Sequence, residues 1–159
     1  MTTSQTPAYL FDLDGTVLDT ASDIASAMKK TLQALGRSES EQVDHNYYLY
    51  GNSSELIAKL LNLPMDSKAF LEIQQQFFQY YIDDIARHTN YFPQIQQLIA
   101  NLQQQNIPWG IVTNKPQLLT QPLLKHFPLL QQADVCLYGD SLPNPKPAPD
   151  LLHLASQIV

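Results

Sequence analysis

The amino-acid sequence predicts an α/β fold, in which a parallel-sheet core is interrupted after its first strand by an all-helical insert. Three short apolar runs have the composition of strands, at Ala8–Leu13, Trp109–Thr113 and Val135–Tyr138. The stretch between the first two runs is too long for a simple crossover, and residues 20–88 within it show the spacing of amphipathic helices. A helix also leads into the second strand, which is the repeating unit of a parallel α/β sheet.

The insert is predicted to contain three helices. The first ends at Gly36, the second is capped by Ser53 or Ser54, and the third runs from about Lys68 to Arg87. Aromatic side chains at helical spacing in the third helix indicate the core of a small bundle rather than a ligand cage. The apolar stripes are, in order, Ile24, Met28, Leu32 and Leu35, then Leu56, Ile57, Leu60 and Leu61, then Phe70, Ile73, Phe77, Phe78, Tyr81 and Ile85.

The chain is predicted to return to the sheet core near residues 91–93. One helix there has apolar side chains at the i, i+3, i+4, i+7 spacing, namely Ile95, Leu98, Ile99 and Leu102. A last helix is predicted from Leu151 through Ile158. These elements complete the repeat of helix and strand that a parallel sheet requires.

Composition limits the class of protein. With 159 residues, of which 44% are hydrophobic, the chain is long enough for one buried core and a small inserted module. A formal charge of −6 with nine lysines and arginines argues against nucleic acid or an anionic membrane as a partner. No apolar run reaches membrane-spanning length, and Met1–Pro7 has no leader pattern, so we expect a cytoplasmic, soluble protein.

Cysteine and histidine give no sign of a metal site. Cys136 is the only cysteine and lies in an apolar run, so it is predicted to be a core thiol. The four histidines share no metal-ligand spacing and are predicted to be surface or partly buried helical residues. They are His45, His88, His126 and His153.

The segment Phe11-Asp12-Leu13-Asp14-Gly15-Thr16 carries the strongest chemical signal. Side chains alternate along a strand, so Asp12 and Asp14 are expected on the same side, at the carboxyl end where α/β sheets place their crevice. Gly15 permits a sharp turn and the close approach of backbone N–H groups to an anion. Two interpretations stay open on these residues alone: phosphoryl transfer through an aspartate, or a buried strand that ends in a polar turn.

Together with two further segments, this motif resembles the three leading motifs of the haloacid dehalogenase (HAD) superfamily of phosphohydrolases. Val112-Thr113-Asn114-Lys115 resembles the second motif, and Lys146 within Asn144-Pro145-Lys146-Pro147-Ala148-Pro149-Asp150 resembles the third. The likeness is strongest to the phosphoglycolate phosphatase branch. It implies a HAD-like Rossmannoid core from residues 1–17 and 90–159, with a helical cap from residues 18–89.

The resemblance assigns a role to each matching residue. It implies that Asp12 is the nucleophile that forms an acyl phosphate and that Asp14 is the acid and base that moves protons. It implies that Thr113, Asn114 and Lys146 bind the phosphate, whose oxygens carry the negative charge of the transition state. An acid at Asp14 also favours phosphate chemistry over carbon–halogen chemistry. The Lys115 side chain is expected to face either the phosphate or solvent.

The resemblance also implies Mg²⁺ as cofactor, held by the Asp12 carboxylate, the backbone carbonyl of Asp14 and an acid from a fourth motif. That fourth motif is not found after the lysine motif, because the sequence ends at Val159. Gly139-Asp140-Ser141 resembles it but precedes the lysine, so Asp140 is interpreted as an ordinary acidic loop residue. We therefore expect a shortened version of a longer enzyme, with an incomplete sheet at its carboxyl end and a weakened metal site.

Substrate specificity is predicted to lie in the insert, at Gly51, Asn52 and Ser53, where free helix N–H groups could receive a substrate carboxylate or hydroxyl. An ordinary cap loop is the other interpretation of these residues, and both stay open. The expected partner is a small phosphorylated metabolite, and the chain is expected to be a monomer or a dimer. Three alternatives stay open: a phosphatase of a muramic acid 6-phosphate sugar, a phosphosugar mutase, and a catalytically impaired remnant that only binds anions.

Overall fold

The computed structural model describes residues 7–38 and 53–159, and within them it has an α/β fold with a parallel sheet, as predicted. These described residues divide into two compact units, one formed by residues 7–19 and 91–159 and one formed by residues 20–38 and 53–90. The elements, in chain order, are β1 Tyr9–Phe11, β2 Leu18–Asp19, α1 Ala21–Ala34, α2 Ser53–Leu61, α3 Lys68–Asp83, β3 Asn90–Tyr91, α4 Ile95–Gln104, β4 Trp109–Val112, α5 Gln117–Leu124, β5 Val135–Leu137 and α6 Asp150–Ile158.

A three-stranded parallel sheet in the order β1-β4-β5 forms the centre of the α/β unit. All four residues of β4 are buried, as expected for the middle strand of a sheet covered on both faces. Gly110 in β4 is required by close packing, because a Cβ there would lie 2.3 Å from Cγ1 of Val135. Helix α6 covers the sheet through Leu151 and Ala155, which pack with Val112 and Val135 in a single apolar cluster.

The first strand is shorter than the sequence predicts. It ends at Phe11 because the chain turns back on itself two residues later, where the Leu13 carbonyl accepts the N–H groups of residues 16, 17 and 18. Gly15 takes a φ of +78°, and its N–H donates to the Leu18 carbonyl at 2.9 Å. The glycine therefore provides the turn that the sequence predicts, and Asp14 lies in this turn rather than in the strand.

The second unit is a small helical bundle in which α3 packs against α1 and α2. Its core comes from side chains that the apolar stripes predict, including Met28, Leu32, Phe70 and Phe77. Ser67 caps α3 by accepting the N–H of residue 70 at 3.2 Å.

Several details of these helices differ from the predictions. Leu35 is 38% exposed because α1 has already ended, although Gly36 with its φ of +66° supplies the predicted stop. Ser53 is the first residue of α2 and Ser54 the second, and α3 ends at Asp83. Helix α5, the two-stranded sheet of β2 with β3, and the 3₁₀ turn Leu130–Gln132 were not predicted, because short elements carry little periodicity.

Inside the helical unit, Asp23 is a buried carboxylate at 4% exposure in the first turn of α1. Its oxygens accept the backbone N–H of His88 at 2.9 and 3.2 Å and the backbone N–H of Thr89 at 3.0 Å. The Thr89 hydroxyl donates to it as well, at 2.6 Å. This carboxylate thus ties the start of α1 to the segment before β3.

Candidate active site

The candidate site lies in the α/β unit, where β1 and β4 end side by side. Asp12 directly follows β1, and Thr113 directly follows β4. The two strands end at nearly the same level because Phe11 and Ile111 are partners in the parallel register. Thr113 is buried, and its N–H donates to the Leu137 carbonyl at 3.0 Å, which continues the ladder by one residue. Carboxyl ends of parallel strands are where α/β sheets form their ligand crevice.

Lys146 reaches this edge from the loop before α6. Its Nζ donates to Oδ1 of Asp12 at 2.8 Å and to the carbonyl oxygen of Val112 at 2.7 Å. The two side chains remain partly accessible, at 23% exposure for the lysine and 41% for the aspartate. A carboxylate and a positive charge that are 134 positions apart in sequence thus share one accessible corner.

Asn114 fixes the backbone of Lys146. Its side-chain amide donates to the Lys146 carbonyl at 2.8 Å, and its Oδ1 accepts the Lys146 N–H at 2.9 Å. The family resemblance implied that Asn114 binds the phosphate, so the use of its side chain as a clamp is a role that sequence reasoning missed. An amide has the donor and the acceptor that such a reciprocal pair needs.

Lys115 lies inside the protein and pairs with Asp14. Its Nζ donates to Oδ1 of Asp14 at 3.0 Å, and its side chain is 6% exposed against 26% for the aspartate. The side chain therefore does not face solvent, which was one of the two directions that the sequence left open. Its backbone N–H also donates to Oγ1 of Thr113 at 3.0 Å.

Gly139 and Asp140 hold the loop after β4 in place. A Cβ on Gly139 would lie 2.1 Å from the Asn114 carbonyl oxygen, so the close backbone approach there needs a glycine. The Gly139 N–H donates to the Lys115 carbonyl at 3.1 Å. Asp140 lies in the loop after β5 and accepts the N–H of Gln117 at 2.9 Å, at the start of α5.

Cys136, one residue before the end of β5, is half-buried rather than a full core thiol. Burial raises the pKa of this thiol, and a hydrogen bond with Tyr138 opposes the rise. Burial also raises the pKa of the Tyr138 hydroxyl. Both groups are therefore held in their neutral forms at pH 7.

The described residues contain no group of three or more His, Cys, Asp or Glu side chains that could hold a metal ion. The carboxylates at this edge are Asp12 and Asp14, and one oxygen of each accepts a lysine hydrogen bond. Mg²⁺ is commonly bound by one or two carboxylates together with water and phosphate oxygens. The accessible Asp12 carboxylate fits that minimal donor set.

Of the predicted site residues, the structure brings five together in one unit: Asp12, Asp14, Thr113, Asn114 and Lys146. Ser53 is the first residue of α2 in the helical unit. Gly51 and Asn52 lie outside the described residues, so their assignment to specificity stays a prediction.

Residues 9–158 match the family model described as haloacid dehalogenase-like hydrolase. This chain belongs to that family. The family resemblance carried by the three motifs is thereby confirmed. No helix in the described parts of this hydrolase-family chain has the length and apolar character needed to cross a bilayer.

Two curated relatives of this hydrolase-family chain are phosphatases by name. It is 30% identical over 151 residues to the N-acetylmuramic acid 6-phosphate phosphatase of Pseudomonas putida, covering 93% of this chain and 66% of that protein. It is 31% identical over 156 residues to the phosphoglycolate phosphatase of Neisseria meningitidis, covering 96% of this chain and 66% of that protein. The chain thus spans 66% of the length of each relative.

Solved structures share the fold of this hydrolase-family chain. A haloacid dehalogenase-like hydrolase from Bacteroides fragilis has a TM-score of 0.81 at 21% identity, covering 94% of this chain and 71% of that one. CbbY from Rhodobacter sphaeroides in complex with phosphate has a TM-score of 0.73 at 24% identity, with the same two coverages of 94% and 71%. At these identities the likeness establishes the fold.

Proposed function

We propose that this chain hydrolyses a small phosphomonoester through an aspartyl-phosphate on Asp12. The observation that carries the proposal is the 2.8 Å contact of Lys146 Nζ with the Asp12 carboxylate, two side chains that both remain partly accessible. A phosphoryl group in transfer spreads negative charge over its oxygens, and a fixed cation next to the nucleophile stabilises that charge.

The proposed reaction has two displacements. In the first, an Asp12 oxygen bonds to phosphorus while the ester P–O bond breaks, and Asp14 gives a proton to the departing alkoxide. In the second, water attacks phosphorus, Asp14 takes a proton from that water, and the bond from phosphorus to Asp12 breaks. Thr113 contributes a hydroxyl that can donate to a phosphate oxygen, and Asn114 holds Lys146 in position.

Mg²⁺ is part of this proposal. The Asp12 carboxylate and the backbone carbonyl of Asp14 would hold the ion, with water and phosphate oxygens completing its coordination. When bound, the ion supplies positive charge that offsets the repulsion between a phosphate dianion and the carboxylate nucleophile.

The names of the curated relatives support the substrate class. One is named for phosphoglycolate and one for N-acetylmuramic acid 6-phosphate, and each name denotes a phosphate monoester of a small organic acid. We propose a substrate of this kind, chosen by the helical unit through Gly51, Asn52 and Ser53. We also predict that the protein is a monomer or a dimer and that it is located in the cytoplasm.

A second candidate function is phosphate binding without turnover. The observation that favours it is that the described residues offer no third acidic side chain at the site. Such a chain would bind phosphate at Lys146 and Thr113 and release no product from an ester.

Phosphate release by the purified 159-residue chain tests the proposal. The substrates are phosphoglycolate, N-acetylmuramic acid 6-phosphate, a hexose phosphate and 4-nitrophenyl phosphate, each with MgCl₂ or with EDTA. We expect Mg²⁺-dependent release that Asp12→Asn abolishes and that the exposed control Asp66→Asn leaves unchanged. Near-normal turnover by Asp12→Asn would reject the nucleophile assignment.

The other outcomes separate the alternatives. Isomer formation from the hexose phosphate, without free phosphate, identifies a mutase. Binding of inorganic phosphate by calorimetry, without turnover of any ester, identifies the binding function.

A further inference from the structure

We propose that Lys115 is a positioning residue for the proton-transfer steps, because its ammonium group holds the carboxylate of Asp14. The inference rests on the proposed function, in which Asp14 gives a proton to the leaving group. The inference assigns a role to Lys115, the second lysine of the site, whereas Lys146 contacts the nucleophile Asp12.

The burial of Lys115 is the first argument. Its side chain is 6% exposed, and a lysine is almost never so deeply buried without an anionic partner. The partner is Oδ1 of Asp14 at 3.0 Å, 101 positions away in sequence. Removal of the Asp14 charge would leave the buried ammonium group without this anion, so the lysine side chain is held toward Asp14.

The fixed backbone of Lys115 is the second argument. Its N–H donates to Oγ1 of Thr113 at 3.0 Å, and its carbonyl accepts the N–H of Gly139 at 3.1 Å. The lysine side chain therefore extends from a fixed segment of backbone, and its ammonium group is held by the contact with Asp14.

The pairing of charges is the third argument. Asp12 and Asp14 are two positions apart, yet each has its own lysine: Lys146 for the first and Lys115 for the second. The two neighbouring acids thus contact two different lysines, which come from two different loops. This division keeps the acid and base carboxylate in a defined orientation while the nucleophile reacts, and a positioned acid contributes about 10²–10⁴-fold to rate.

The leaving group supplies a test that a general structural defect would not imitate. In the first displacement the P–O bond breaks and its electron pair stays on the leaving oxygen. An alkoxide needs the proton of Asp14, whereas 4-nitrophenolate is stable without one. The quantity to compare is kcat/KM, because it covers the steps up to departure of the leaving group and excludes the later attack by water.

We expect Lys115→Met to lower kcat/KM by about 100-fold for the best alkyl ester of the panel and by less than about tenfold for 4-nitrophenyl phosphate. Lys115→Arg, which keeps the charge, should keep more of the alkyl activity. In an Asp14→Asn background, Lys115→Met should change kcat/KM by less than about threefold, because the group on which it acts is already lost. The matched control is Lys125→Met, an exposed lysine of the same unit, which should leave both rates unchanged.

Equal losses for the alkyl and aryl esters, or full additivity with Asp14→Asn, would overturn the inference while the proposed function stands. Absence of turnover by the unsubstituted chain would remove the proposed function and the inference with it. Far-ultraviolet circular dichroism checks that each variant is folded. If Lys115→Met does not fold, Lys115→Gln, which also removes the charge, takes its place, and an alkyl-to-aryl ratio equal to that of the unsubstituted chain would then overturn the inference.

Discussion

Replacement of Asp23 by alanine should destabilise the helical unit strongly. The carboxylate is buried and accepts hydrogen bonds from three donors, which are the backbone N–H of His88, the backbone N–H of Thr89 and the Thr89 hydroxyl. Alanine has no acceptor, so all three donors lose this partner. The start of α1 would then be released from the segment before β3.

The burial of each donor sets the magnitude. His88 is exposed, so its N–H can bond to water, whereas Thr89 is 5% exposed and keeps two buried donors without an acceptor. Each unsatisfied donor costs about 1–3 kcal/mol, which gives a loss of roughly 2–6 kcal/mol. Relief of the desolvation of the carboxylate offsets part of this, so we expect a loss of about 3 kcal/mol. Asp23→Asn keeps one acceptor oxygen and should lose about half as much.

Urea unfolding followed by circular dichroism, with linear extrapolation to water, measures this loss. The matched control is Asp66→Ala, an exposed aspartate of the same unit, which should change the free energy of unfolding by less than about 0.5 kcal/mol. If Asp23→Ala stays within about 1 kcal/mol of the unsubstituted chain, the hydrogen bonds to Asp23 do not stabilise the unit and the reasoning is refuted.

Three further predictions concern the α/β unit. Gly139→Ala brings a Cβ to 2.1 Å from the Asn114 carbonyl oxygen, so the loop must shift by about 1 Å or more. The rate of phosphate release at saturating substrate should therefore fall about 100-fold. Asn114→Ala removes both clamps on the Lys146 backbone, and it should weaken binding of inorganic phosphate in calorimetry by about tenfold, since a lost hydrogen bond costs about 1 kcal/mol or more. Burial raises the pKa of the Cys136 thiol, so its reaction with an aromatic disulfide reagent should be slow at pH 8 and should accelerate at a higher pH than the reaction of a free cysteine. A rate at pH 8 equal to that of a free cysteine would contradict the direction of this shift.

Most helices and sheet strands follow from local periodicity. The apolar stripe with Met28 and Leu32 predicts α1, and the apolar run at Trp109–Thr113 predicts β4, because burial of one face imposes a spacing that can be read along the chain. Element ends were less accurate. The strand at Tyr9–Phe11 ends early because hydrogen bonds to the Leu13 carbonyl close a turn, and the residues concerned also suit a longer strand.

Many of the candidate site residues could also be named from sequence, because short motifs place acids, a threonine and a lysine beside predicted strand ends. The partners could not be named in the same way. Nothing in the spacing of Lys115 states whether it faces solvent, phosphate or an acid, and the 101 positions between it and Asp14 hide the pair from any local pattern. The need for glycine at position 139 is hidden as well, because it depends on a backbone that passes 2.1 Å from where its Cβ would be.

The sequence by itself determined the family, the parallel-sheet class with its helical insert and the candidate acids Asp12 and Asp14, since these depend on residue type and on spacing within one segment. Only the tertiary structure decided which lysine pairs with which acid and that Asn114 clamps the backbone of Lys146. The physical reason is range. Periodicity acts over a few residues along one element, whereas these contacts join chain segments that meet only when parallel strands align in register.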